Sequence, residues 1–177
     1  MLVRAEKLTE EVGQTDGLHW VSAFECDCYS PIDTFVRDAT GNVPAMKSPA
    51  TTAEASVITV PLNSALVRAT ASRGMKISSV ELYYEVASAV GTAAALAVYK
   101  VTLGADNAAL TAAAVTGSKD LTDAHCYDQE QHKVVWTPTA EAFIGDNEAW
   151  YAVFSLTKGA GTNLYFFGAL VNFTRAL

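Results

Sequence analysis

The sequence predicts an all-β protein: an antiparallel β-sandwich, with a jelly roll of about eight strands as the expected architecture. Three observations carry that reading. Short runs rich in Val, Ile, Tyr, Phe and Trp alternate with period two, as in Val80-Glu81-Leu82-Tyr83-Tyr84-Glu85-Val86. Gly, Pro, Asn and Asp clusters separate these runs at intervals of about 10–20 residues. No amphipathic helix of useful length interrupts them, so the alternating strands and helices of a nucleotide-binding sheet are absent.

The elements follow in order. Residues 1–17 read as an N-terminal arm: Leu2 to Val12 carries Arg4, Glu6, Lys7, Glu10 and Glu11, which suits either a turn or two of helix or an arm docked on a neighbour. Residues 18–177 read as one sandwich domain. Its first strand runs from Leu18 to Cys26, with Leu18, Trp20 and Phe24 as its apolar side and Val21 and Ala23 blurring the alternation. Residues 29–56 read as one long irregular loop holding Pro31, Pro44, Pro49 and the turn signal Thr40-Gly41-Asn42. A loop of that length in a small domain is functional or reaches another chain.

Val57 to Val60 is β-branched or Thr throughout and closes at Pro61; a second candidate runs from Ser64 to Ala71 and ends at Ser72-Arg73-Gly74. From Lys76 to Ala87 the alternation is strong, but Ile77 is out of phase, which predicts a bulge near Ser78-Ser79. Ala93 to Leu103 is a strand despite its alanines, and Ala108 to Gly117 a weak edge strand. His132 to Thr137 places Val134 and Trp136 on one face and stops at Pro138. Trp150, Ala152, Phe154 and Leu156 mark the inner face of the next strand, and Lys158 to Asn163 reads as a hairpin loop. The last strand, Leu164 to Thr174, is apolar on both sides, Leu164, Phe166 and Leu170 against Tyr165, Phe167 and Val171.

Composition excludes several functions. The 177 residues include 30 Ala and 18 Thr, only 18% are charged, and the net charge is −7. Half of the chain is hydrophobic, too much for disorder. An acidic chain does not bind nucleic acid through phosphate contacts, and no apolar run approaches the ~20 residues of a membrane-spanning helix. MLVRAEKLTEEVG is charged and lacks the apolar middle of a signal peptide, and the cysteine pattern fits assembly inside a reducing cytoplasm.

Chemistry-bearing motifs are sparse. No phosphate loop and no G-x-S-x-G elbow occurs, and His19, His125 and His132 are scattered. The protein is therefore expected to be non-enzymatic and to need no cofactor. Cys26, Cys28 and Cys126 are odd in number, and Cys26-x-Cys28 is too close for ordinary disulfide geometry. Cys26, Cys28, His125 and Cys126 together are a candidate zinc set, against which reduced, structural cysteines are the preferred reading. Asp120, Asp123, Asp128 and Glu130, and Asp146 with Glu148, lack calcium-loop spacing and read as solvated turn carboxylates. Asn172-Phe173-Thr174 matches a glycosylation sequon but falls in an expected strand. Tyr83, Tyr151 and Tyr165 fall opposite the core positions and are candidates for a partner surface, for protein or for a stacked sugar.

The succession Lys76-Ile77-Ser78-Ser79-Val80-Glu81-Leu82-Tyr83-Tyr84-Glu85-Val86-Ala87, Ala97-Val98-Tyr99-Lys100-Val101-Thr102-Leu103, Asp128 to Val134 and Leu164 to Phe173 resembles the small β-sandwich structural proteins of tailed bacteriophages and environmental viruses. The resemblance spans about residues 57–174. It implies a capsid decoration or cementing protein, or a spike- or fibre-associated one, located in the virion. Its expected partners are its own copies, as a trimer or larger symmetric oligomer, and capsid or tail proteins, with no direct nucleic acid and no membrane. The alternative is a carbohydrate- or receptor-binding sandwich that uses Tyr83, Tyr151 and the acidic loops. A cupin-type enzyme is a third reading, disfavoured because no H-x-H pair exists.

Overall fold

The computed structural model describes residues 14–49, 53–62, 75–104, 110–121, 124–145 and 147–176. Thirteen strands are described: β1 (Gln14–Ser22), β2 (Asp27–Tyr29), β3 (Val36–Thr40), β4 (Val43–Ser48), β5 (Glu54–Pro61), β6 (Met75–Ala87), β7 (Gly91–Thr102), β8 (Ala112–Val115), β9 (Gly117–Lys119), β10 (Gln131–Pro138), β11 (Ala142–Ile144), β12 (Glu148–Lys158) and β13 (Asn163–Ala176). Two short 3₁₀ turns, Ala23–Glu25 and Ala124–Tyr127, complete the described elements, among which there is no α-helix.

Two antiparallel sheets pack as a sandwich. The larger runs β3-β4-β13-β6-β10-β9, with β1 also on β13 and β11 also on β6; the smaller runs β2-β5-β12-β7-β8. Stripped of β1, β2, β3, β9 and β11, the orders are β4-β13-β6-β10 and β5-β12-β7-β8. That interleaving of eight strands is a jelly roll, so the expected fold class holds, while the described strands number thirteen against the expected eight or so and β4 falls in the stretch read as loop.

The period-two pattern fixes which residues face inward. Val80, Leu82, Tyr84 and Val86 of β6 are buried, as are Trp150, Ala152, Phe154 and Leu156 of β12 and Val134 and Trp136 of β10. Burial of each of the larger aliphatic side chains stabilises the fold by about 1.5–3 kcal/mol. The expected bulge in β6 is present. Ser79 faces Asn172 and Ile77 faces Phe173, which leaves Ser78 unpaired and returns Ile77 to the core.

A second bulge corrects the expected phase of β13. Phe166 faces Tyr84 and Gly168 faces Tyr83, so Phe167 is the extra residue. One inserted residue reverses every later side chain. Leu164 and Phe166 point inward, but beyond the bulge Ala169, Val171 and Phe173 are buried and Leu170 turns outward.

Other boundaries also change. The arm of residues 1–17 gives way to β1 at Gln14, whose residues pair with β13 from Gln14↔Ala176 to Ser22↔Gly168; residues 1–13 lie outside the described residues. The supposed irregular loop 29–56 contains the β3–β4 hairpin and the start of β5. Gly41 (φ 54°) and Asn42 (φ 68°) form its two-residue turn, the left-handed pair that a type I′ hairpin requires. Lys158 to Asn163 links strands of different sheets and is no hairpin, because β12 belongs to the smaller sheet and β13 to the larger. The candidate strand Ser64 to Ala71 lies outside the described residues.

A buried ionic cluster fastens one end of the sandwich. The ammonium of Lys158, fully buried, donates to Asp33 Oδ2 at 2.8 Å and to the Pro49 carbonyl, and lies 3.4 Å from Glu54 Oε1. Glu54 also accepts from the Ser30 hydroxyl and, at 2.9 Å, from the Ile32 backbone N–H. Buried charges persist only when paired and hydrogen-bonded in this way.

Candidate functional site

The outer face of the larger sheet gathers the polar and aromatic residues that the core pattern leaves out. Register sets them in rows across the strands. One row carries Lys47 on β4, Tyr165 on β13, Glu85 on β6 and Gln131 on β10. The next carries Gly168, Tyr83 and Lys133; the third carries Trp20 on β1, Leu170, Glu81 and Val135; the fourth carries Leu18, Asn172 and Ser79. Residues two apart on one strand share a face, so these rows form one continuous surface.

Trp20 and Tyr83 make its aromatic centre. Their ring centroids are 5.7 Å apart, with planes inclined by 49°. Trp20 is 47% exposed although Val21 beside it is buried. The indole has room because β13 carries glycine beneath it: a Cβ on Gly168 would come within 2.6 Å of the Trp20 ring and 2.5 Å of the Val21 carbonyl oxygen. Gly168 adopts φ 144°, a conformation side chains rarely take, next to the Phe167 bulge.

Polar groups beside the rings are locked by one another. The Tyr83 hydroxyl donates to Glu81 Oε2 at 2.6 Å, and Asn172 Nδ2 donates to Glu81 Oε1 at 3.1 Å and to the Ser79 hydroxyl at 2.8 Å. Lys133 Nζ stands 3.6 Å from Glu81 Oε2. The Tyr83 hydrogen bond, with smaller help from Asn172 and Lys133, holds the Glu81 carboxyl below its usual range, and burial opposes this in part. The same bond, aided by burial, pushes the Tyr83 phenol up to about 12. Glu81 is thus an ionised acceptor and Tyr83 a permanent phenol at neutral pH.

Farther along, Lys47 Nζ sits 5.1 Å from the Tyr165 ring centroid and 3.1 Å from Asp38 Oδ2. Contact with Tyr165 first, then Asp38, raises the lysine's pKa. The β3–β4 hairpin tip reaches the same end of the face, where the Thr40 hydroxyl donates to Glu85 Oε2 at 3.3 Å. Thr40, Gly41, Glu85 and Gln129 to Gln131 border a polar cleft of about 300 Å³ there.

The three candidate tyrosines do not form one patch. Tyr83 and Tyr165 share this face, whereas Tyr151 lies on the outer face of the smaller sheet, stacked on Tyr99 at 5.6 Å. Leu18, Trp20 and Phe24, read as the apolar side of the first strand, are exposed, whereas Val21 and Ala23, which blur that alternation, are the buried residues. Glu81, Lys133 and Gly168 carry no motif that marks them in the sequence, and Asn172 is marked there only as part of the Asn172-Phe173-Thr174 sequon.

Of the candidate zinc set, the described side chains Cys26, Cys28 and Cys126 are not brought together. Among the described residues no group of three or more His, Cys, Asp and Glu side chains is placed to hold a metal ion. Cys26 donates to the Ser22 carbonyl and Cys28 lies on β2, both packed partly against the core, and burial first pushes each thiol up to about 12. Cys126 lies in the second 3₁₀ turn, where its thiol approaches the Asp120 carbonyl and its own carbonyl accepts from the Tyr84 hydroxyl. The His125 side chain lies outside the description. His132 stacks on buried Tyr84 at 5.0 Å and bonds the Asp128 carbonyl at 2.9 Å, a packing role. Asn172 points outward and is engaged with Ser79 and Glu81.

No family model matches the chain, and no curated protein matches it significantly. Among solved structures it is similar to TmCBM61 in complex with β-1,4-galactotriose, at 12% identity and a TM-score of 0.43 over 90% of this chain and 91% of that one. It is similar at 11% identity and a TM-score of 0.46 to the CBM22-1–GH10 modules of Clostridium thermocellum endo-1,4-β-D-xylanase 10B complexed with xylohexaose, over 88% of this chain and 27% of that one. A family 29 carbohydrate-binding module from Piromyces equi gives 11% identity and a TM-score of 0.36 over 90% of each chain. None of these likenesses transfers a ligand to this chain.

Proposed function

We propose that the outer face of the larger sheet binds carbohydrate without acting on it chemically. The observation that supports this most is the exposed Trp20 ring seated over Gly168 beside Tyr83. A pyranose has apolar C–H faces and a rim of hydroxyls. Rigid aromatic rings offer the first a stacking surface at little entropic cost. Glu81, Lys133 and Asn172, held in place next to the rings, offer acceptors and donors to the second.

Glu81, whose carboxyl is held below its usual range and bonded through both oxygens, is suited to accept hydrogen bonds from a ligand and not to donate a proton to it. The virion role expected from the resemblance stands as a competing proposal, in which the same face meets a capsid or tail protein; a symmetric oligomer by native mass spectrometry is its mark.

Affinity electrophoresis in gels containing soluble galactan, xylan, mixed-linkage glucan or mannan tests the carbohydrate reading. At least one polysaccharide is expected to retard the protein, and Trp20→Ala to abolish the retardation while its circular dichroism stays native. Passage through all four gels without retardation, or retardation undiminished in Trp20→Ala, would reject it.

A further inference from the structure

The outer face of the smaller sheet carries almost no charge. Register sets Pro61 of β5, Tyr151 of β12, Tyr99 of β7 and Ala114 of β8 in one row across it, and Asp27 of β2, Thr59, Val153 and Ala97 in the next. The remaining outward positions of β5, β12, β7 and β8 are Ala, Val, Ser or Thr, and Tyr29, 61% exposed, closes the β2 edge. Among the described residues, Asp27 on that edge strand is the one charged side chain that the strands turn outward here. The outer face of the larger sheet differs, with Lys47, Glu81, Glu85 and Lys133. An antiparallel sheet left to solvent alternates apolar residues inward with polar ones outward. The smaller sheet instead sets large apolar residues inward, such as Ile58, Leu96 and Phe154, and mostly small uncharged ones outward.

Charge and area select a second copy of this chain as the occupant. Small, uncharged side chains make the face complementary to itself, as the isologous contact of a two-fold dimer demands. Each copy carries a net charge of −7, so two copies repel over most of their surfaces. This face is the part that can meet its own copy without setting like charges against one another. A nucleic acid or a charged protein surface finds no matching charge on it. Its size also suffices. The three long strands and the two short ones that flank them, at about 4.8 Å spacing and about 3.4 Å per residue, cover roughly 550 Å². Two copies therefore bury about 1,100 Å², which clears the roughly 1,000 Å² that a specific interface needs.

We propose that two copies of this chain associate through the outer faces of their smaller sheets, with Thr59, Val153 and Ala97 at the centre and the stacked pair Tyr99–Tyr151 as the largest side chains covered. Small side chains let the sheets approach to the roughly 10 Å of face-to-face packing. The dimer leaves the outer faces of both larger sheets open on opposite sides, so the Trp20–Tyr83 centre is present twice in one particle. The association itself uses none of the residues argued to bind carbohydrate.

Sedimentation velocity of the full chain between about 1 and 100 µM tests this. A monomer–dimer equilibrium with a dissociation constant of about 10 µM or tighter is expected, and the same in Trp20→Ala. Val153→Glu and Ala97→Glu each place unpaired carboxylates in the contact and are expected to weaken the dimer by about a hundredfold or more. Both side chains point away from the core, and circular dichroism checks that each variant is folded. Hydroxyl-radical footprinting reads the surface of the unaltered protein: Tyr99 and Tyr151 are expected to lose reactivity as the dimer forms, and Tyr83 to keep it. A dimer undiminished in both glutamate variants, one that protects Tyr83 in place of Tyr99 and Tyr151, or a trimer or larger assembly would overturn the proposal. A monomer at about 100 µM would also overturn it and leave the face to a different apolar partner.

Discussion

The indole of Trp20 stands where a side chain on Gly168 would have to be, 2.6 Å from the position of its Cβ. The strand beneath the exposed ring is therefore fixed in identity as well as in conformation. Gly168→Ala must move the ring, the Val21 carbonyl or the backbone, and it forces φ 144° on a residue that disfavours it. Urea unfolding is expected to show a loss of about 2 kcal/mol or more, with loss of polysaccharide retardation. A variant as stable as the parent would show that the approach of ring and strand is not constrained.

The Tyr83–Glu81 hydrogen bond gives the face its pH limits. The folded-state pKa of Glu81 is depressed from 4.5, so its contribution is whole above about that pH and disappears as pH falls through the lower folded value. Tyr83 is raised from 10.0 to about 12, so its contribution is whole below about 10 and disappears as pH rises toward 12. Carbohydrate affinity is expected to be level from about pH 6 to 9 and to fall on the acid side only below about 4.5. Glu81→Gln keeps a carbonyl acceptor for the tyrosine and is expected to remove that acid fall. An acid limb unchanged in the variant would assign it to another group.

Lys158 neutralises two buried carboxylates, Asp33 and Glu54. Lys158→Met leaves both without their cation, and breaking a buried pair from one side costs about 3–5 kcal/mol. Denaturation by urea should show that loss, with part of it restored in Lys158→Met combined with Asp33→Asn. A single variant within 0.5 kcal/mol of the parent would mean that the cluster contributes specificity and not stability.

The thiols of Cys26 and Cys28, pushed up to about 12 chiefly by burial, carry little thiolate at pH 8. Alkylation by iodoacetamide in the native protein is expected to be at least about a hundredfold slower at these two positions than in urea. Peptide mass spectrometry reads each site separately, and native rates equal to those in urea would show that the thiols are open to solvent.

What the sequence revealed depended on local period. β6 was legible to the bulge, because Ile77 breaks an otherwise unbroken alternation and only an extra residue at Ser78 restores it. β3 was illegible: Val36, Arg37, Asp38 and Ala39 are all exposed, so the strand has no inner face to write into the sequence. Pro44 further disguised β4, in a hairpin where the Thr40-Gly41-Asn42 signal was the true clue. The site was half legible. Tyr83 and Tyr165 follow from alternation on their strands, but their union with Trp20 depends on β1 pairing with β13, a contact between opposite ends of the chain. The second bulge, at Phe167, hides in an apolar run where period two cannot be followed.

That pairing has a temporal meaning. Trp20 and Gly168 are 148 positions apart (168 minus 20), and β1 leans on β13 through Gln14↔Ala176. Contacts of such separation are costly to close and form late. The aromatic centre is thus out of reach of a partly synthesised chain, and a protein shortened by its last ten residues retains Trp20 without most of the strand that supports it. The seating of Trp20 over Gly168 is thus a mark that folding has joined β1 to β13.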